Sequence, residues 1–289
     1  MAKRDHEAAV FVLLGQSNAT GHALPMEEQD KITRPLKNVF GLSRAQNQSY
    51  DNEKLVWSGY ESGGMNLAEE QDHTYSVSNC LAARWQAAVD GGADLPDMYI
   101  VHISIGAQGV SKKMMWYPDR EKEMTHGPLG SVRISLHPFT LHILSLVRES
   151  LQERGLDMGT PVIHWRGGEQ EICVPMEEME DLLEIYRRMF REYRAALGTE
   201  APVILHAIAC DDVTFAGTEP GETRRRQQYV NDVFAALCRE EKGFSIFDPR
   251  ECPLYDPALP GRGIFKSDNV HFTPQVNGWV AEQILRAAE

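Results

Sequence analysis

Three things are scarce in this chain of 289 residues: cationic charge, apolar runs of membrane length, and cysteines at paired spacings. Lysine and arginine number 29 against 42 aspartates and glutamates, leaving a formal net charge of −13. A field of that sign repels phosphate backbones and anionic lipid headgroups, so nucleic acid and membrane surfaces are disfavoured as partners. The one basic cluster, Arg224-Arg225-Arg226, falls inside an amphipathic helical pattern and reads as a solvated face. Near the N-terminus the apolar stretch from Ala8 to Leu14 is far too short to cross a bilayer. No small-residue cleavage site follows it, which argues against a signal peptide. The five cysteines (Cys80, Cys173, Cys210, Cys238 and Cys252) show no close C-x-x-C spacing, and an odd number leaves one thiol outside any full disulfide framework. A reducing, cytoplasmic location is the expectation. Hydrophobic residues at 42% and charged residues at 25% match an ordinary soluble globular domain and exclude disorder or a fibrous repeat.

What is present is alternation. Short apolar, β-rich runs recur at Ala9 to Leu14, Met98 to Ile105, Pro161 to Trp165, Pro202 to Ala209 and Phe244 to Phe247. Between them lie stretches of helical periodicity. From Glu177 to Leu197 the pattern puts Leu182, Leu183, Tyr186, Met189, Phe190 and Tyr193 on one face, and Gly198 ends it. Similar stripes run through Leu141, Leu144, Val147 and Leu151, and through Val276, Trp279, Val280 and Ile284. Nearly continuous apolar strands that alternate with helices predict an α/β protein: a three-layer α/β/α sandwich around a central parallel sheet. The whole of 1–289 reads as one domain, with long loop insertions near 21–75 and 112–135 and no repeat or linker.

In such a sheet, ligands bind outside the carboxyl ends of the strands. Directly after the first run stands Gly15-Gln16-Ser17-Asn18, where a serine hydroxyl can project into the cleft from a tight turn. Gly-Gln-Ser-Asn also makes an ordinary polar turn. Before the last helical pattern stands Asp268-Asn269-Val270-His271, whose D-x-x-H spacing can seat a carboxylate against an imidazole on one local turn. Asp268 and Thr273 beside Pro274 are equally good helix-start residues.

Together the two motifs resemble the SGNH-type hydrolases, specifically the branch of sialate O-acetylesterases and acetylxylan esterases, over nearly the whole chain from Phe11 to Ile284. The resemblance implies a flavodoxin-like fold without metal or organic cofactor. It implies that Ser17 is the nucleophile, His271 the general base and Asp268 its orienting acid. It also implies an oxyanion hole made by the Ser17 N–H and by a glycine after a central strand. Gly106 and Gly109, in Ile105-Gly106-Ala107-Gln108-Gly109, are the two candidates.

A third family element, Trp-x-Gln-Gly-Glu, reads here Trp165-Arg166-Gly167-Gly168-Glu169. Gly167 stands where the family's glutamine helps hold the oxyanion, and loss of one such donor costs about 10²–10³ in turnover. Arg166, Gln108 and Asn18 are candidate replacement donors. Gln16 and Glu169 are substrate or support residues, with Glu169 expected to accept backbone hydrogen bonds. Trp57, Tyr60, Trp116 and Tyr117 are packing aromatics or stacking faces for a sugar. His137 and His142 have the wrong helical phase for one metal, and Asp211-Asp212 reads as a loop or cap, so no metal is expected.

The function these residues imply is a serine esterase for O-acyl, above all O-acetyl, groups on a small-molecule or polysaccharide carbohydrate. Its rivals are a weak or inactive carbohydrate-binding relative, motivated by Gly167, and an esterase for other acyl groups. The polar insertion and the lack of a long apolar lid weigh against lipids.

Overall fold

The computed structural model describes residues 6–22, 24, 26–69, 74–126, 132–210, 213, 219 and 221–288. Its strands are β1 (Glu7–Gly15), β2 (Val39–Leu42), β3 (Trp57–Gly59), β4 (Asp97–Ser104), β5 (Met124–His126), β6 (Val132–Ile134), β7 (Asp157–Met158), β8 (Val162–Arg166), β9 (Val203–His206) and β10 (Phe244–Phe247). The helices are α1 (Ser17–Thr20), α2 (Arg44–Asn47), α3 (Val77–Asp90), α4 (Leu136–Gln152), α5 (Glu169–Ile172), α6 (Leu182–Leu197), α7 (Glu222–Glu240) and α8 (Pro274–Ala287).

One sheet runs in the order β10-β9-β8-β1-β4-β2-β3, with the short β7 also paired to β1. All pairings are parallel except β2 with β3. The five strands read from the sequence are β1, β4, β8, β9 and β10, and their spatial order is second, first, third, fourth, fifth. That is the flavodoxin-like order, and it puts a topological switch point at the carboxyl end of β1.

Alternation along the central strands builds the two outer layers. Val10, Val12 and Leu14 of β1 share a cluster with Val101, Trp165 and Leu205, covered by Phe139 and Leu144 of α4, Tyr186 and Phe190 of α6 and Phe234 of α7. Phe11 and Leu13 face the other way, under Leu81 of α3 and Val276, Val280 and Ile284 of α8. Strands buried on both faces lose their polar positions, which is why these read as continuous apolar runs.

The described residues of the insertion at 21–75 carry more regular structure than its composition predicts. It supplies β2, which extends the sheet parallel to β4 with Val39 opposite Met98, and β3 beyond it. Trp57 and Tyr60 are thereby core residues: Trp57 Nε1 donates to Ser150 Oγ at 2.9 Å, and the Tyr60 hydroxyl pairs with Ser78 Oγ at 2.8 Å. Trp116 is fully buried edge-on to Trp165, with ring centroids 5.1 Å apart, so it too offers no face to a ligand. Tyr117 lies beside Asp119 and Arg188, along a small cleft with Asp181 and Ile185. The second insertion contains the antiparallel pair β5 and β6.

The basic cluster needs a correction. Arg224 and Arg225 are exposed, but Arg226 is buried, donating to Ile172 O at 3.1 Å and to Glu222 at 2.7 Å. It ties α7 to α5 instead of facing water.

Candidate active site

Three segments start from one row of the sheet. In register, Gly15 at the end of β1 lies opposite Ser104 on β4 and Arg166 on β8. The chain leaves each strand there, toward Ser17, Gly106 and Glu169 respectively. Gly15 allows the crowding: a Cβ on it would lie 2.0 Å from Arg166 O, and its φ of +146° suits only glycine. The next residue secures the approach, Gln16 N donating to Arg166 O at 2.9 Å. Its side chain reaches across as well, Gln16 Oε1 accepting from Gly168 N at 3.4 Å and Gln170 N at 3.3 Å. Gln16 is therefore a supporting residue.

Asn18 carries the longest-range connection. Its Nδ2 donates to Glu169 Oε1 at 2.9 Å and to Val270 O at 3.0 Å, while its Oδ1 accepts Phe272 N at 3.0 Å. His271 is thus held on both sides by the residue that follows Ser17. The motifs at the two ends of the chain meet through this single amide.

The turn around His271 is closed by a bridge between Phe265 and Phe272 and by Lys266 N donating to His271 O at 2.8 Å. Asp268 has two tasks in it. Oδ1 accepts Val270 N and His271 N, each at 2.9 Å, and Oδ2 lies 2.8 Å from His271 Nδ1. Asp268 is thus the partner of the imidazole and closes its turn, while the helix start also read there falls at Thr273, directly before α8. Partial burial raises its pKa, but the two N–H donors and the ring outweigh that and hold it below the ordinary value. An ionised Asp268 accepts only, so His271 carries its proton on Nδ1 and leaves Nε2 free as an acceptor. Ser17 is 7% exposed and His271 more open.

The two glycine candidates separate clearly. A Cβ on Gly106 would lie 3.9 Å from Ser17 Cβ, whereas one on Gly109 would lie 1.9 Å from Glu171 Oε1. Gly106 is beside the serine. Gly109 makes room for the buried Glu171, whose carboxylate accepts Val110 N at 2.6 Å.

Two of the candidate replacement donors, Asn18 and Arg166, are engaged elsewhere. The Asn18 amide is spent on the contacts above. Arg166 is buried, ion-paired with Glu169 at 2.6 Å and stacked 4.7 Å over the Phe272 ring. Gln108 accepts Met115 N through Oε1 at 3.1 Å, a contact that does not use its Nε2 donor. Glu169 accepts from the Asn18 side chain and is ion-paired with Arg166, not bound to the backbone donors expected of it. A Cβ on Gly167 would come within 2.9 Å of the buried Trp165 ring, so a glutamine there has no ready space.

Two neighbours were not singled out by the sequence. His22, whose N donates to Ser17 O at 2.9 Å, presents its ring 5.3 Å from that of His271. Glu69 Oε2 accepts the Gly106 N–H at 2.9 Å. Neither sits in a motif, and the 21–75 insertion gives no periodicity from which to place them. His137 bonds Tyr193 and Glu192 within the α4–α6 interface. Asp211 and Asp212 lie outside the described residues. Among the described residues no cluster of His, Cys, Asp and Glu is arranged to hold a metal, and no helix is long and apolar enough to cross a membrane.

No protein-family model matches the sequence, and no curated protein matches it. Solved structures do. A protein from Arabidopsis thaliana aligns at a TM-score of 0.56 with 15% identity, covering 98% of this chain and 97% of that one. NanS aligns at 0.54 with 14% identity, covering 100% and 98%. Est24, a carbohydrate acetylesterase from Sinorhizobium meliloti, aligns at 0.46 with 12% identity, covering 96% and 99%. At such identities the first two show the fold alone, the α/β/α sandwich around a mostly parallel sheet that the sequence predicts.

Proposed function

We propose that this protein is a serine esterase that removes O-acetyl groups from a carbohydrate. The reading is supported by the Asp268–His271 pair, whose segment is tied through Val270 O and Phe272 N to Asn18, the residue after Ser17. The acetyl and carbohydrate terms come from the likeness of Gly15-Gln16-Ser17-Asn18 and Asp268-Asn269-Val270-His271 to the sialate O-acetylesterase branch.

His271 Nε2 takes the proton of Ser17 Oγ as that oxygen forms a bond to the ester carbonyl carbon. The oxyanion accepts from the Ser17 and Gly106 N–H groups. When the C–O bond to the sugar breaks, His271 returns its proton to the departing hydroxyl. Water, deprotonated by the same imidazole, then adds to the acyl carbon, and acetate leaves as the C–Oγ bond breaks and His271 returns the proton to Ser17 Oγ. Asp268 offsets the imidazolium charge through both proton transfers and fixes the tautomer.

A second reading has its own support. Glu69 already occupies the Gly106 N–H, and Gly167 brings no side-chain donor, so a relative that binds carbohydrate with little turnover is the alternative. Fluorophosphonate labelling together with acetate release from a panel of acetylated sugars separates the two. The esterase requires labelling and turnover that both vanish in Ser17→Ala and His271→Ala. A folded protein that neither labels nor releases acetate leaves the binding reading.

A further inference from the structure

The segment that ends at Glu69 is fixed with unusual thoroughness for a loop. Asn66, Leu67 and Ala68 are all buried, and Asn66 forms a parallel bridge to His102 on β4. Asn66 Nδ2 donates to Ser104 O at 2.8 Å, and its Oδ1 accepts Ser104 N at 3.0 Å and Ala68 N at 3.2 Å. Leu67 N donates to His102 O at 2.9 Å. This short run therefore follows β4 to its carboxyl end as an extra edge. Glu69 emerges from it at the level of Gly106, where its carboxylate takes the amide N–H that stands beside Ser17.

An ester carbonyl needs that same N–H when it becomes an oxyanion. Any substrate must therefore take the donor from Glu69 and accept a carboxylate as its immediate neighbour. Arg166 does not offset the charge, being buried against Glu169 and Phe272. Resting on the esterase reading above, we propose that Glu69 is a specificity-determining residue that restricts Ser17 to esters of uncharged sugars by competing for the Gly106 amide and repelling substrates with a carboxylate.

The proposal separates two properties of one side chain. Glu69→Gln keeps an acceptor for the Gly106 N–H but removes the charge. Glu69→Ala removes both. Like charges several ångströms apart near a protein surface change relative rates by about fivefold or more.

The test uses one mono-O-acetylated hexose and the same sugar oxidised at C6 to a carboxylate, with kcat/KM measured for wild type, both Glu69 variants and Ser17→Ala. Wild type should favour the neutral ester by about fivefold or more. In Glu69→Gln that ratio should move toward one. Glu69→Ala should also narrow the ratio, raise turnover of the neutral ester and react faster with a fluorophosphonate. A change in overall stability would scale both substrates together and leave the ratio where it was.

An active wild type with no preference, or a ratio unmoved in both variants, overturns the role of Glu69 and leaves the esterase standing. A folded wild type with neither acetate release nor labelling overturns the esterase and this inference with it.

Discussion

Asn18 and Glu171 show how a single side chain sets the behaviour of the site around it. The Asn18 amide satisfies Val270 O, Phe272 N and Glu169, a buried carboxylate. Asn18→Ala leaves Val270 O and Phe272 N without this partner and Glu169 with Arg166 alone, and unsatisfied buried groups cost about 1–3 kcal/mol each. We expect a loss of about 2–4 kcal/mol in urea unfolding. We also expect kcat to fall well beyond any change in KM, because His271 loses its tether on both flanks. Retained kcat in a destabilised Asn18→Ala would show that Asn18 serves the fold alone. Glu171 is a different case. Burial pushes its carboxyl up to about 7, with the nearby Glu169 adding to the effect and the N–H of Val110 opposing it. Because the folded value is the higher one, neutral Glu171 stabilises the fold below its unfolded pKa, and this contribution disappears as pH rises through about 7. Glu171→Gln keeps an acceptor for Val110 N without the ionisation. Its stability relative to wild type should therefore improve from pH 5 to pH 8, and a difference independent of pH would show Glu171 to be an ordinary carboxylate.

At the scale of elements, the turn between β8 and α5 decides what the missing glutamine means. A side chain at Gly167 meets Trp165, which is fully buried between Trp116 and the α6 aromatics Tyr186 and Phe190. Gly167→Gln must displace this ring. It should lower the thermal midpoint by several degrees, as overpacking costs of about 1–3 kcal/mol imply, without raising turnover. Higher kcat at unchanged Tm would show that the turn can still accept an oxyanion donor. The same turn marks the limit of sequence reading. The central strands β1, β4, β8 and β9 were legible because burial on both faces leaves nearly continuous apolar runs, and α6 was legible because its stripe is clean. The edge strands β2 and β3 were hidden in a polar insertion, since a three- or four-residue strand carries too little period to register. Ser17, His271 and Asp268 could be proposed from short-range motifs. Glu69 and His22 could not, because their meaning comes from where a nonperiodic segment returns to the sheet.

Across the whole molecule, the sheet carries histidines that stay neutral. His102 on β4 and His164 on β8 lie in one register row on either side of Leu13, and His206 ends β9. Burial pushes His102 down to about 4 and His164 to about 3, and it takes His206 well below the ordinary value, with Arg166 adding repulsion for the last two. His102 is held by Ser78 Oγ at 3.1 Å and Ser104 Oγ at 2.8 Å, hydroxyls that can donate to one ring nitrogen and accept from the other. The unfolded chain binds protons at these sites below about 6.5, while the folded chain refuses them until far lower pH. Their contribution is therefore fully present above pH 6.5 and is lost as pH falls toward 4. Each histidine adds a slope of about 1 kcal/mol per pH unit, and Glu171, titrating in the opposite sense, cancels one of the three. A net slope of about 2–3 kcal/mol per unit removes much of an ordinary 5–15 kcal/mol stability within two pH units. Urea midpoints should consequently fall steeply between pH 6.5 and 4.5. In His164→Leu, which fills the same buried space without a titrating ring, the slope should flatten by about 1 kcal/mol per pH unit whatever happens to stability at pH 8. A wild-type midpoint that stays level over that range, or a His164→Leu slope equal to that of wild type, would mean that these imidazoles accept protons inside the fold.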